Sequence, residues 1–137
     1  PDVPELAENP LKRYAMLYNP RFILEHGDWV ADDAKRFGKM PLHAIVRQDQ
    51  AGKHHDVCDR LTAIRRPVLI LHGRQDRMVP LGRGEELAHR LPNARFEILD
   101  PAGHQFHSEQ FERVLRLVID FVATVEATQP SRSPAPG

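Results

Sequence analysis

Two residues in this sequence have the types and the placement to do chemistry together. Asp76 stands in "LHGRQDRMVP", a glycine-opened turn directly after the apolar run "PVLIL", and His104 stands in "DPAGHQFH", directly after the run "ARFEIL". A carboxylate that accepts a hydrogen bond from one imidazole nitrogen fixes the tautomer of the ring and stabilises its cation. The other nitrogen can then take a proton from a nucleophile and return it later. Such a pair is two thirds of a catalytic triad. Each residue also has a plainer role open to it. Aspartate favours turns by bonding nearby backbone, and a histidine behind Gly103 can simply belong to a loop. The paired placement, each residue after a strand-like run, favours the chemical roles.

The competing residues weigh less. His107 is the rival base, but it lies at a helix entrance and lacks the preceding glycine. Asp100 is the rival acid, yet Pro101 follows it and it reads as part of the turn. His72 adjoins the apolar run and reads as structural. His54 and His55 form a pair without the further ligands that a metal site needs, so no metal is expected. Met78 and Phe106 flank the two principal residues and are candidates for an apolar substrate pocket, with core packing as their alternative. Tyr14, Tyr18, Phe22, Trp29 and Phe37 offer a second apolar surface, although aromatic residues at helical spacing more often pack.

The elements that must position this pair follow from length and periodicity. The 137 residues suffice for one domain with a core. Nineteen basic and nineteen acidic residues balance without a long block of either sign, which argues against nucleic acid or an anionic membrane as partner. No apolar run approaches the roughly 20 residues that span a bilayer. Cys58 is the sole cysteine, which fits a reducing compartment, and the cytoplasm is the expected location. The opening "PDVPELAENP" has no methionine, which suggests a trimmed start or a piece of a longer chain.

Four stretches differ in character. Residues 1 to 8 form an N-terminal extension. Residues 9 to 64 read as short helices with breakers between them: "LKRYAMLY" places Leu11, Tyr14, Ala15 and Tyr18 on one face, and Asn19 and Pro20 supply the cap and first position of the next helix. Asp28 is the expected cap of a helix holding Trp29, Val30, Ala34 and Phe37, closed by Gly38. Another helix begins near Pro41, holds Leu42, Ile45 and Val46, and fades at Gly52. Residues 65 to 126 change period: "PVLIL" reads as a parallel strand buried on both faces. A helix with Glu85, Leu87, Ala88 and Leu91 follows, and then "ARFEIL" as a strand nearer the sheet edge. Ser108 is the expected cap of a last helix with Phe111, Val114, Leu115, Val118, Phe121, Val122 and Val125 at helical spacing. Strand, helix, strand, helix is an α/β signature. Residues 127 to 137 lack apolar periodicity and are expected to be disordered.

The segments "IRRPVLILHGRQDRMVP" and "PNARFEILDPAGHQFHSEQFERVLRLVIDFV" resemble the C-terminal half of the α/β-hydrolases. In that family a strand, a glycine turn ending near the acid, a helix and a strand precede Gly-His and the last helix. The resemblance covers residues 54 to 125. It implies a partial α/β-hydrolase fold, with the last two parallel strands, their flanking helices, and residues 9 to 53 as a helical cap. It also implies Asp76 as the acid, His104 as the base, no cofactor, and hydrolysis of ester or related acyl bonds of small molecules. The family's nucleophile is serine in esterase-like members and aspartate in dehalogenase-like or epoxide-hydrolase-like ones.

One part of the family pattern is absent. The elbow G-x-S-x-G does not occur: Ser108 precedes a helix, and Ser131 and Ser133 lie in the tail. Neither Cys58 in "HHDVCDRL" nor "GRG" at 82 to 84 replaces it. The nucleophile is therefore not in this chain, and the oxyanion donors associated with it go too. Loss of the nucleophile alone costs on the order of 10⁶ in turnover in a well-studied serine protease. The chain by itself is expected to be inactive, and a missing N-terminal half is its expected partner. A truncated, non-catalytic binding module and one half of a split hydrolase are the alternatives.

Overall fold

The computed structural model describes residues 10–36, 41–53 and 55–128. Expectations for residues 1 to 8, Phe37, Gly38, His54 and the tail from 129 onward lie outside the described residues. The elements run α1 (Pro10–Leu17), α2 (Pro20–Glu25), α3 (Gly27–Arg36), α4 (Leu42–Lys53), a 3₁₀ helix (Cys58–Ala63), β1 (Val68–Gly73), α5 (Leu81–Arg90), β2 (Ala94–Leu99), α6 (Phe106–Glu109) and α7 (Phe111–Thr128). Among the described residues no helix is long and apolar enough to cross a membrane.

Local chemistry accounts for most boundaries. Asn19 caps α2 as expected, its side-chain oxygen accepting the Phe22 N–H at 2.9 Å, with Pro20 as the first helical residue. Two expected caps are displaced. Helix α3 already starts at Gly27, and the His26 carbonyl accepts the Val30 N–H at 3.0 Å, so Asp28 sits inside the first turn. A carboxylate there still complements the helix dipole. Ser108 lies within the short helix α6, because the chain breaks at Gln110 before α7 begins at Phe111. The apolar spacing of α7 is otherwise as read.

β1 and β2 pair in parallel, from Val68 beside Ala94 to Gly73 beside Leu99. Helix α5 lies on the face that carries His72 and Phe96. Gly84 permits that approach, since a Cβ there would stand 2.6 Å from the His72 ring. Burial of β1 is less complete than the apolar run suggests: Ile70 is buried, but Val68, Leu69 and Leu71 are only half-buried. Among the described residues each strand is paired along one edge, and α7 leaves Phe111 60% and Ile119 56% exposed. A parallel sheet ordinarily has both faces covered.

A cluster of buried apolar residues sits in the helical segment. Tyr14, Tyr18, Val30 and Ala34 are buried together, with Leu17, Phe22 and Ile23 around them. The Tyr18 hydroxyl donates to Asp33 Oδ2 at 3.0 Å; burial, and then that carboxylate, push its pKa up. Tyr14 and Tyr18 are thus packing residues, whereas Trp29, edge-on to Tyr18 and Phe22, remains half exposed.

Glycines separate two kinds of site. A Cβ on Gly73 would stand 2.0 Å from the Gly103 carbonyl oxygen, so Gly73→Ala forces two main-chain segments apart. Gly52, inside α4, has nothing within 4 Å of its Cβ position. Gly73→Ala is expected to destabilise the chain by at least about 2 kcal/mol, and Gly52→Ala to stabilise it by about 0.5–1 kcal/mol. Urea denaturation followed by circular dichroism checks both, and equal effects would contradict the packing described.

Candidate active site

The two strands deliver their following turns to the same place. Beyond the last register pair, the Arg74 N–H donates to the Leu99 carbonyl at 2.9 Å and the Gln75 N–H to the Ala102 carbonyl at 2.8 Å. The turn after β1 is thereby stitched to the turn after β2. Asp76 and His104 face each other across this seam.

The two carboxylate oxygens of Asp76 do different work. Oδ1 accepts the backbone N–H groups of Met78 and Val79, both at 2.8 Å, and so shapes the turn. Oδ2 stands 2.9 Å from His104 Nδ1. A neutral imidazole in this arrangement donates from Nδ1, which leaves Nε2 as the basic nitrogen. Among the described residues Nε2 forms no hydrogen bond. The Asp76 side chain is 4% exposed and that of His104 39%, so the acid is enclosed while the base has an open face.

His72 is the second histidine at this carboxylate. Its Nε2 lies 2.9 Å from the Val79 carbonyl oxygen and 3.6 Å from Asp76 Oδ2. A carbonyl can only accept, so the proton sits on His72 Nε2. The ring braces the far end of the turn that wraps Asp76. The structural role read from the sequence fits this position, and the ring also lies beside the acid, a proximity that the sequence spacing does not reveal.

The other candidates are elsewhere. Asp100 is paired with Arg74 at 2.7 Å on the surface. His107 is exposed and edge-on to Phe106. Met78 contributes its backbone N–H to Asp76, but the residue is 46% exposed. Phe106 is half-buried against His107. A groove of about 590 Å³ does exist, lined in part by Phe22, His26, Trp29, Phe111 and Arg116, and it includes neither His104 nor the pocket candidates Met78 and Phe106. Among the described residues no cluster of three or more His, Cys, Asp or Glu side chains could hold a metal.

The Cys58 thiol ionises less readily than a free one. Its hydrogen bond with the Asp56 carboxylate, and then partial desolvation, push the thiol pKa up, and the thiolate is the reactive form.

A family model described as alpha/beta hydrolase fold matches residues 16–111. The chain belongs to this family. The putative carbamate hydrolase RutD of Stutzerimonas stutzeri is 29% identical over 105 residues, covering 70% of this chain and 40% of that protein. A 2-hydroxy-6-oxononadienedioate/2-hydroxy-6-oxononatrienedioate hydrolase of Paraburkholderia phymatum is 40% identical over 67 residues, covering 49% of this chain and 23% of that protein. Among solved structures, the enol-lactonase from Burkholderia xenovorans superposes with a TM-score of 0.76 at 21% identity, over 88% of this chain and 45% of its own. A thermophilic esterase from Thermogutta terrifontis gives 0.74 at 20% identity, over 90% and 47%. The structural likenesses establish the fold. This α/β-hydrolase chain spans less than half the length of each of these four proteins.

The division of labour at Asp76 can be tested. Asp76→Ala leaves the Met78 and Val79 N–H groups without their acceptor and is expected to cost about 2–3 kcal/mol. Asp76→Asn keeps an acceptor for the turn but removes the anion facing His104, so stability should fall less while the neutral His104 ring moves toward the Nε2-protonated tautomer. Nitrogen-15 imidazole shifts report the tautomer. An unchanged His104 spectrum in Asp76→Asn would count against the contact.

Proposed function

We propose that the chain carries the acid–base half of a hydrolase acting on ester or related acyl bonds of small molecules. The observation that carries the reading is the enclosed Asp76 carboxylate 2.9 Å from Nδ1 of a half-exposed His104. In this reading Nε2 of His104 takes the proton from an attacking hydroxyl and later gives it to the leaving group, while Asp76 holds the ring and stabilises its cation. Family membership supports it, as do relatives named as an esterase, an enol-lactonase and a putative carbamate hydrolase. Each of those names implies attack on a carbonyl that carries a heteroatom leaving group. The chain holds no G-x-S-x-G elbow. The nucleophile and the oxyanion N–H donors therefore come from elsewhere, from a preceding segment or from a second chain that also extends the sheet.

A second reading is a non-catalytic interaction module. It draws on the partly exposed apolar side chains of α7, which a partner would cover.

Complementation separates the two. The chain alone should not hydrolyse a chromogenic nitrophenyl ester above background. Mixed with the N-terminal half of the Burkholderia enol-lactonase, which would supply the missing strands, it should gain turnover. That gain should fall at least about 10³-fold with His104→Ala. Turnover indifferent to His104 would defeat the hydrolase reading, and an inert but tightly associated mixture would favour the module.

A further inference from the structure

The loop that carries His104 is held on its far side by a carboxylate that takes no part in the dyad. Glu109, in α6, accepts the Gly103 N–H with both oxygens at 3.1 Å. The same carboxylate accepts the Asn19 backbone N–H at 2.9 Å and also bonds the Asn19 side-chain amide nitrogen. Asn19 is 3% exposed, and its amide is divided between two tasks: the oxygen caps α2, and the nitrogen turns toward Glu109 and the Pro101 carbonyl. A further main-chain bond runs from the Gln105 N–H to the Leu17 carbonyl at 2.9 Å. Both peptide neighbours of His104 are therefore tied to residues 17 to 19.

Gly103 makes this contact possible. A Cβ at that position would stand 2.7 Å from the Leu17 carbonyl oxygen and 2.9 Å from the Asn19 nitrogen. The backbone before His104 thus lies directly on the backbone joining α1 and α2, with Glu109 closing the contact. The N–H groups involved are partly buried and hydrogen bonds to a charged acceptor are stronger than neutral ones, so this carboxylate is a strong link between the loop and the junction.

We propose that Glu109 is a positioning residue for His104: it locks the histidine loop to the α1–α2 junction and so keeps the imidazole aligned with Asp76. The consequence for the reaction rests on the reading of His104 as the base. The alignment itself can be observed without any turnover.

The experiment uses the whole chain and proton–nitrogen NMR of the His104 ring, with amide exchange at Gly103 and Gln105. In Glu109→Ala, exchange of the His104 Nδ1 proton and of both amides should speed up at least about tenfold, since the loop opens more often when bonds to a charged acceptor are lost. Glu109→Gln, with one acceptor oxygen and an amide that meets donors, should give a smaller change of the same sign. Asn19→Asp keeps a good cap for α2 but sets a second carboxylate against Glu109, and should reproduce the loosening with α2 intact. These two variants carry the test if Glu109→Ala does not fold. A His104 Nδ1 signal unchanged in Glu109→Gln and Asn19→Asp, even with altered Gly103 and Gln105 exchange, would overturn the proposal and leave Glu109 a merely structural residue. Asp76→Asn serves as the separate control: a His104 signal insensitive to it would sink the acid–base reading rather than the lock.

Discussion

The parallel pairing of β1 with β2 is the constraint on which the site depends. Its register ends with Gly73 beside Leu99, and the next two N–H groups, those of Arg74 and Gln75, continue the seam into the following turns. Two residues 28 apart in sequence thereby meet at hydrogen-bonding distance without any long side chain having to reach. The carboxyl ends of parallel strands repeatedly serve as functional crevices for this reason: the ladder sets the spacing and the turns supply the groups. A shift of one residue in register would reverse the side-chain faces and separate the pair.

Much of this was legible in the sequence, and the limits are physical. Strand and helix order, the Asn19 cap and the apolar stripe of α7 follow from local periodicity and capping chemistry. The pairing of Asp76 with His104 was also legible, because both follow apolar runs in a strand–helix–strand unit. Burial of "PVLIL" was overestimated, since an apolar run shows what a strand could bury and not which neighbours are there to cover it. Ser108 and Asp28 were misplaced as caps by one or a few residues, the usual uncertainty of helix ends. Glu109 could not have been found by spacing, because Asn19, the partner that gives it meaning, lies 90 residues away. His72 reads as adjoining the strand but lies within β1, and its approach to the acid depends on the turn folding back after Gly73.

Packing and chemistry are unevenly distributed over the chain. The helical segment has its own cluster around Tyr14 and Tyr18, whereas the sheet that carries the site leaves apolar side chains partly exposed. The Asp76 turn is nonetheless closely specified, by two backbone donors on one oxygen, His104 on the other and His72 bracing its end. Local polar order therefore does not require a dense apolar core beneath it. It requires that the buried polar side-chain atoms have partners, a condition that the described residues meet.

The missing Cβ of Gly103 also bears on how this family could be re-engineered. Any exchange of the helical segment for a foreign one has to respect the contact made there. Here the junction of α1 and α2 and the loop around His104 touch main chain to main chain, so their shapes are matched as one surface. A chimera that imports foreign helices while keeping this loop inherits half of that match. The natural unit of exchange is residues 17 to 19 together with 101 to 109, a discontinuous cassette whose two pieces have to come from the same parent.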